Sequence, residues 1–390
     1  MNPSSAGWIK KLLKELPKNN GFLEYRNEAF YDTLRACGFI YGSNLNIAAQ
    51  IFPKSDFTEE ELCKTNFILS LFYNYSKSKI KTSFTESVIN FYTDINEIKT
   101  SFFQELLGGT KSNEQLEKII HKRIQIDANV LTKNFNYFVI NALLYVDVLA
   151  YDEYLKNESI SIDYLKNLEA SIVAITLDVL NSKENKNQYD DSLIKLFESS
   201  LRYHSSNNLD YKKAIKLIKN SQEKYYILDL ACMATWSDQM IDVEEQQFLE
   251  KLGHDLQLDI TRIHQSIKTV NKFYTVNKDN IALLSSKNIV QSFYNNSSKM
   301  VHKLITRNSK RLYKEIKDSK ELMVLITQST VRDLTKEEQK KVQDQLLDIF
   351  KSIPSLAIFL LPGGALLLPL VVKFIPKLLP SAFDENRIEE

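Results

Sequence analysis

Between Pro53 and Pro354 the sequence contains no proline. At an ordinary usage of about 5% a stretch of that length would carry roughly 15. Its only glycines are Gly108, Gly109 and Gly253. Hairpins, barrels and βαβ units need turn residues at every hairpin or strand–helix junction, and here they are missing. The body is therefore predicted to be all-α. The closing segment is the opposite, with Pro354, Pro362, Pro369, Pro376 and Pro380 crowded into one apolar stretch.

The 390 residues are 44% hydrophobic and 25% charged, which is ample for a core and excludes global disorder. Lys+Arg 50 against Asp+Glu 49 leaves a net charge of +1, so there is no overall field for nucleic acid and DNA is not an expected partner. Cys37, Cys63 and Cys232 lie far apart without a C-x-x-C, a pattern of buried thiols in a reducing compartment. Phosphate-binding glycine loops, H-E-x-x-H and G-x-S-x-G are all absent. The histidines (His121, His204, His254, His264, His302) are scattered, with no i,i+4 pair. No catalytic residue is assigned, and the chain is expected not to be an enzyme.

Helix starts recur as capping boxes, Thr58 with Glu61, Ser83 with Glu86 and Ser112 with Gln115. Near the N-terminus Trp8, Ile9, Leu12, Leu13 and Leu16 share one face opposite Lys10, Lys11 and Lys14 until Pro17, without the uninterrupted apolar run of a secretory signal. That face either packs on the body, the favoured reading, or lies on a membrane surface with a Trp anchor. Residues 136–155 are apolar nearly all round and predict a central buried helix; Asp147, Asp152 and Glu153 argue against a membrane span there. Polar tracts at 181–192 and 205–211 read as loops. The expected division is a helical domain over 1–215, a second helical region over 216–298, and a basic plus hydrophobic region over 299–390.

An acidic turn follows a small-residue helix that ends at Trp236. Asp238, Asp242 and Glu245 are the hard oxygen ligands that suit Ca²⁺ or Mg²⁺. The plainer reading makes Asp242 a helix N-cap with Glu245 at the third position. The stretch Ser237–Glu245 resembles the acidic turn of the TerB-like tellurite-resistance helical domain, with Gln239 where that family has glycine. The resemblance covers roughly residues 220–290 and implies a helical bundle that binds metal.

The region 299–320 carries eight Lys/Arg against two acids. Lys299, Lys303, Arg307, Lys310, Arg311 and Lys314 form a basic patch suited to RNA or to anionic headgroups, while Val301, Leu304, Ile305, Leu312 and Ile316 recur at helical spacing. The run 353–372 then has no charge at all. Its length matches ~30 Å of hydrocarbon at ~1.5 Å per residue. Twelve Leu, Ile, Phe and Val in it contribute about −4 to −7 kcal/mol of insertion propensity. Pro362, Gly363 and Gly364 fall mid-run and would kink or break a helix, so a span, a re-entrant element and a packed hairpin all remain open. Pro354, Pro369 and Pro376 share the apolar stretch with Lys373 and Lys377, which can snorkel to headgroups.

Leu334-Thr335-Lys336-Glu337-Glu338, an amphipathic helix through Phe350, and the run from Leu368-Pro369 through Lys373, Phe374, Pro376 and Pro380 to Phe383 resemble the membrane segment of the leucine-zipper/EF-hand transmembrane (Letm) family. The family's mark is L-T-x-x-E, a helix and a proline-rich span. With the TerB-like turn ahead of it, the arrangement looks like the bacterial Letm-related biofilm-associated proteins. The resemblance implies a role in cation/proton homeostasis or envelope physiology at the bacterial cytoplasmic (inner) membrane, with membrane lipids as partner and the body facing the cytosol. One span encloses no ion path, so transport would need a homo-oligomer or a partner. The rival expectation is a peripheral adaptor that binds ribosomes or other proteins through its basic region.

Overall fold

The computed structural model describes residues 2–18, 20–51, 57–99, 112–124, 133–183, 209–235, 243–277, 304–306, 308–353 and 368–378, with shorter pieces at 186, 190–191, 194–195, 197–198, 241, 301–302, 356 and 359. Among the described residues every regular element is a helix, so the protein is all-α as its missing turn residues require. The α-helices are α1 (Trp8–Glu15), α2 (Asn27–Ala36), α3 (Glu59–Lys77), α4 (Phe84–Lys99), α5 (Asn113–Ile124), α6 (Lys133–Asn157), α7 (Ile162–Ser182), α8 (Tyr211–Leu217), α9 (Ser221–Thr235), α10 (Val243–Asp255), α11 (Ile260–Asn277), α12 (Ser309–Asp318), α13 (Lys320–Val331), α14 (Lys336–Ser352) and α15 (Leu368–Leu378).

The predicted caps form. The Thr58 hydroxyl accepts from the Glu61 amide while the Glu61 carboxylate returns the bond to the Thr58 N–H, and the Ser83 and Ser112 hydroxyls accept from the amides of Glu86 and Gln115. The α1 face is buried, with Ile9 and Leu12 fully enclosed against α5. The Glu117 carboxylate on α5 accepts the Gly7 and Ile9 amides, each at 2.8 Å, and so caps α1 from another helix. The packed reading of the N-terminal helix holds.

Two helices form the centre of the first core. In α6 every residue from Leu144 to Tyr151 is buried, as expected for an all-round apolar helix. In α3 every residue from Glu61 to Leu71 is buried too, although its pattern is interrupted by Lys64, Thr65, Asn66 and Ser70. Those polar groups are satisfied in place. Thr65 and Ser70 hydroxyls donate to carbonyls one turn back, and Asn66 donates to Asn44 and Asn46 while accepting the Ala48 amide. Around this pair, α4 and α5 pack on α3, α7 carries α8 and α9, and α9 meets α2 and α11.

Two glycines are required by geometry. Gly38 has φ +84°, and a Cβ there would lie 1.8 Å from the Ser43 carbonyl oxygen. Gly253 stands inside α10 rather than just beyond it, where a Cβ would sit 2.4 Å from the Ile263 side chain, so its missing side chain lets α10 and α11 approach. All three cysteines are buried, and burial pushes their thiols well above the ordinary range.

A second core begins at Val301 and runs to Ile375, built by α12–α15 and joined by Leu180 from the end of α7.

Candidate functional site: a C-terminal helical module

The module starts from an amphipathic helix. In α12 the apolar residues Leu312 and Ile316 are fully buried, and Lys310, Arg311, Lys314 and Lys317 are exposed on the other side. Helical spacing thus serves both expectations at once, an apolar face in a core and a basic face in solvent. Of the basic patch, Lys310, Arg311 and Lys314 are described; Lys299, Lys303 and Arg307 lie outside the described residues.

The next helix is capped and pinned by Ser319. Its hydroxyl accepts the Leu322 amide at the start of α13 and donates to Gln345 on α14 at 2.6 Å. Gln345 in turn donates to Glu321, whose other oxygen takes Lys341 at 2.8 Å. That Lys341 hydrogen bond holds the Glu321 carboxyl below its usual range. α14 opens on a capping box in which Thr335 and Glu338 exchange both bonds. Arg332 grips the same Glu338 carboxylate with two donors, at 2.7 and 2.9 Å. With Arg332 as the main cause and the Thr335 amide second, the Glu338 carboxyl is held down to about 2.

The apolar tail is drawn into this frame. Ile353, Leu356, Phe359, Leu368, Leu370, Val371 and Ile375 are all buried in the second core. The Phe359 ring lies 5.1 Å from that of Phe350 on α14, and the Phe374 ring 5.9 Å from that of His302. Of the residues assigned to the membrane element, Pro369 sits in the first turn of α15, where its missing N–H costs nothing, and Pro376 lies near the helix end. Lys373 is exposed, and Lys377 lies in the last turn. Pro354, Pro362, Gly363, Gly364 and Pro380 lie outside the described residues. The helix starts at Leu368 and straddles the end of the charge-free run, and its 11 residues reach about 16 Å. No described helix is long and apolar enough to cross a membrane.

In the acidic turn, Asp238 and Asp242 lie outside the described residues. Glu245 is in the first turn of α10, nearly buried, with its carboxylate 3.9 Å from the Lys183 ammonium; the same ammonium lies 3.7 Å from Asp190. No group of three His, Cys, Asp or Glu able to hold a metal occurs among the described residues.

Sequence reasoning missed the buried ion pairs of the first core. Arg123 on α5 meets Asp147 on α6 through two bonds, 2.8 and 3.0 Å, and Tyr92 on α4 donates to the same carboxylate; both charged side chains are fully enclosed. Arg35 on α2 lies 3.0 Å from Asp229 on α9, which also accepts from Tyr31. Burial pushes the Asp229 carboxyl up while Arg35 pulls it back. Arg262 on α11 reaches Asp32 at 2.9 Å and stacks over the Tyr225 ring. Asp147 was visible in the sequence as a charge within an apolar helix; its partner, on another helix, carried no local mark.

These arrangements define an all-α protein whose C-terminal part is a separately cored helical module carrying a basic helix and a buried apolar tail. Residues 334–390 match the family model described as LETM1-like, RBD. The C-terminal region is thus Letm-like, in agreement with the motif from Leu334 onward. No curated protein and no solved structure matches the chain.

Proposed function

We propose that this is a non-enzymatic protein of Letm type that works at the bacterial cytoplasmic membrane, with its helical body on the cytosolic side and its C-terminal apolar run as the membrane-seeking element. The observation that carries the reading is the coincidence of the LETM1-like match over 334–390 with the charge-free run 353–372. In the folded module the described part of that run already lies in an apolar environment. Moving it to lipid exchanges one such environment for another, so the balance turns on refilling the space beneath α12–α14. The setting is cation/proton homeostasis or envelope and biofilm physiology, and ion movement would require a homo-oligomer or a partner. Alkaline carbonate extraction of fractionated cells tests it: the protein should stay with the membrane pellet, and full release into the supernatant would overturn the reading.

The RBD designation of the matching family model favours a second reading, an adaptor that binds ribosomes. It predicts co-sedimentation of the full chain with ribosomes that weakens as salt rises. Absence of the protein from the ribosomal pellet at low salt would remove this reading.

A further inference from the structure

The described cations of the C-terminal module differ in what they meet. Lys341 on α14 is paired with Glu321, and Arg332, just after α13, is paired with Glu338, while Lys320 and Lys340 are single exposed cations on α13 and α14. On α12, Lys310, Arg311 and Lys314 are exposed and form no ion pair with a described residue. At ~100° per residue, Lys310, Arg311, Lys314 and Lys317 occupy roughly a third of the helix circumference, opposite Leu312 and Ile316. Of the two acids on the helix, Asp318 lies within this arc, between Lys314 and Arg311, and Glu315 outside it, so the face keeps a cationic excess of four to one.

We propose that the basic face of α12 is a binding surface for anionic phospholipid headgroups, which sets the module down on the membrane beside its apolar tail. This rests on the membrane reading above and adds the lipid class and the residues that recognise it.

Three observations favour lipid over nucleic acid. The apolar side of α12 lies in the same core as Leu368, Leu370 and Val371, so the basic face is mechanically tied to the apolar tail. The exposed Lys373 adds a further cation on the tail helix itself. A single-strand RNA surface interleaves its cations with free aromatic faces for stacking. The one aromatic residue on α12, Tyr313, is half-buried, and the Lys317 ammonium sits 5.7 Å from its ring centre, so that face is already used. What remains is a set of exposed cations, three lysines and one arginine, which suits a negatively charged sheet of headgroups.

The test is co-sedimentation of the full chain with vesicles of phosphatidylcholine alone and of phosphatidylcholine with about a third phosphatidylglycerol. Wild type should prefer the anionic vesicles, and the preference should collapse near 1 M salt, where screening shortens to ~3 Å. The combined Lys310→Gln, Arg311→Gln and Lys314→Gln variant should lose affinity for anionic vesicles by roughly fivefold per cation, about a hundredfold in all. Its binding to neutral vesicles, which reports the tail, should be unchanged. Lys310→Arg with Lys314→Arg should restore the anionic preference. All three positions are exposed, so an unaltered melting curve identifies a folded variant. Equal binding of wild type to both vesicles, or an unaffected triple Gln variant, would overturn the lipid inference while carbonate-resistant protein in cells kept the membrane reading. Binding of an RNA duplex that depends on the same three residues, without vesicle binding, would overturn it in favour of nucleic acid.

Discussion

The two cores of this protein are held together differently. The first is aromatic and ionic: Phe30 stacks on Tyr73 with ring centres 4.0 Å apart, Tyr145 meets Tyr226 at 4.8 Å, and Arg123–Asp147 and Arg35–Asp229 are enclosed among them. The second is aliphatic. Among the described residues from Val301 on, Gln339 is the one buried polar side chain, donating to the Leu334 carbonyl at 2.6 Å. Its charges stay on the rim. A buried ion pair penalises every arrangement in which its partners separate, so it fixes which helices meet. Aliphatic burial is non-directional and works against any apolar neighbour, lipid included. The first core is therefore committed to one arrangement, while in the second the buried contacts of the described tail residues are apolar.

The largest effect should come from cutting an ionic tie. Asp147→Ala leaves the Arg123 guanidinium enclosed without its carboxylate, with Tyr92 also losing its acceptor. The expected loss is about 3–5 kcal/mol in urea unfolding followed by tyrosine fluorescence. Replacing both partners, Arg123→Met with Asp147→Leu, should recover most of it. If the double variant is as unstable as the single, the pair contributes more than charge compensation, and the contrast between the cores is one of packing instead.

Cutting into the aliphatic core should cost less and behave differently. Leu346 on α14 is fully buried there, and Leu346→Ala should destabilise the module by about 2–4 kcal/mol through lost transfer energy and a residual cavity. Because no buried charge is left behind, the neighbours can relax. The same variant should therefore release the tail more readily and raise binding to phosphatidylcholine vesicles. Unchanged vesicle binding would mean that the tail is held by more than aliphatic contact.

This contrast also explains what could be read from the sequence. Helix class followed from the missing prolines, and the α12 and α14 faces from periodicity, because amphipathic patterning is a local record of a core. The α3 helix was legible at its Thr58–Glu61 start, yet its complete burial was not. Its Lys64 and Asn66 read as surface residues until His121 and Asn44, from other segments, are in place, and Ser70 is satisfied by a carbonyl one turn back. The ion pairs of the first core were illegible for the same reason: Arg35 and Asp229 are joined only by the fold. The tail read as a membrane element because a charge-free run looks alike whether lipid or protein covers it. The Letm-like character was legible in the spacing of Leu334-Thr335 to Glu338 and of the following prolines.

A smaller effect is expected at the entrance of α14. Thr335→Ala removes the hydroxyl that accepts the Glu338 amide and should cost about 1 kcal/mol. Thr335→Ser should retain most of the cap. Measured as a shift in the module's melting transition, this separates local helix-end chemistry from the core effects above.

The smallest effect is also the most local. The Glu338 carboxyl is held down to about 2 by the two Arg332 donors and the Thr335 amide. A carboxylate whose folded value lies below its unfolded one, near 4.3, contributes stability that is present above the unfolded value. That contribution is lost as pH falls from about 4 through about 2, and it does not change near neutrality. The pair is exposed, so the stabilisation is small and salt should weaken it further. An NMR titration of the Glu338 side chain should place its midpoint near 2. Arg332→Ala should move that midpoint upward while leaving the Thr335 cap in place. The Arg123–Asp147 pair of the first core is enclosed, so salt should weaken it far less than this rim pair. A Glu338 midpoint in the ordinary carboxylate range would show that the rim of the second core is held by the cap alone.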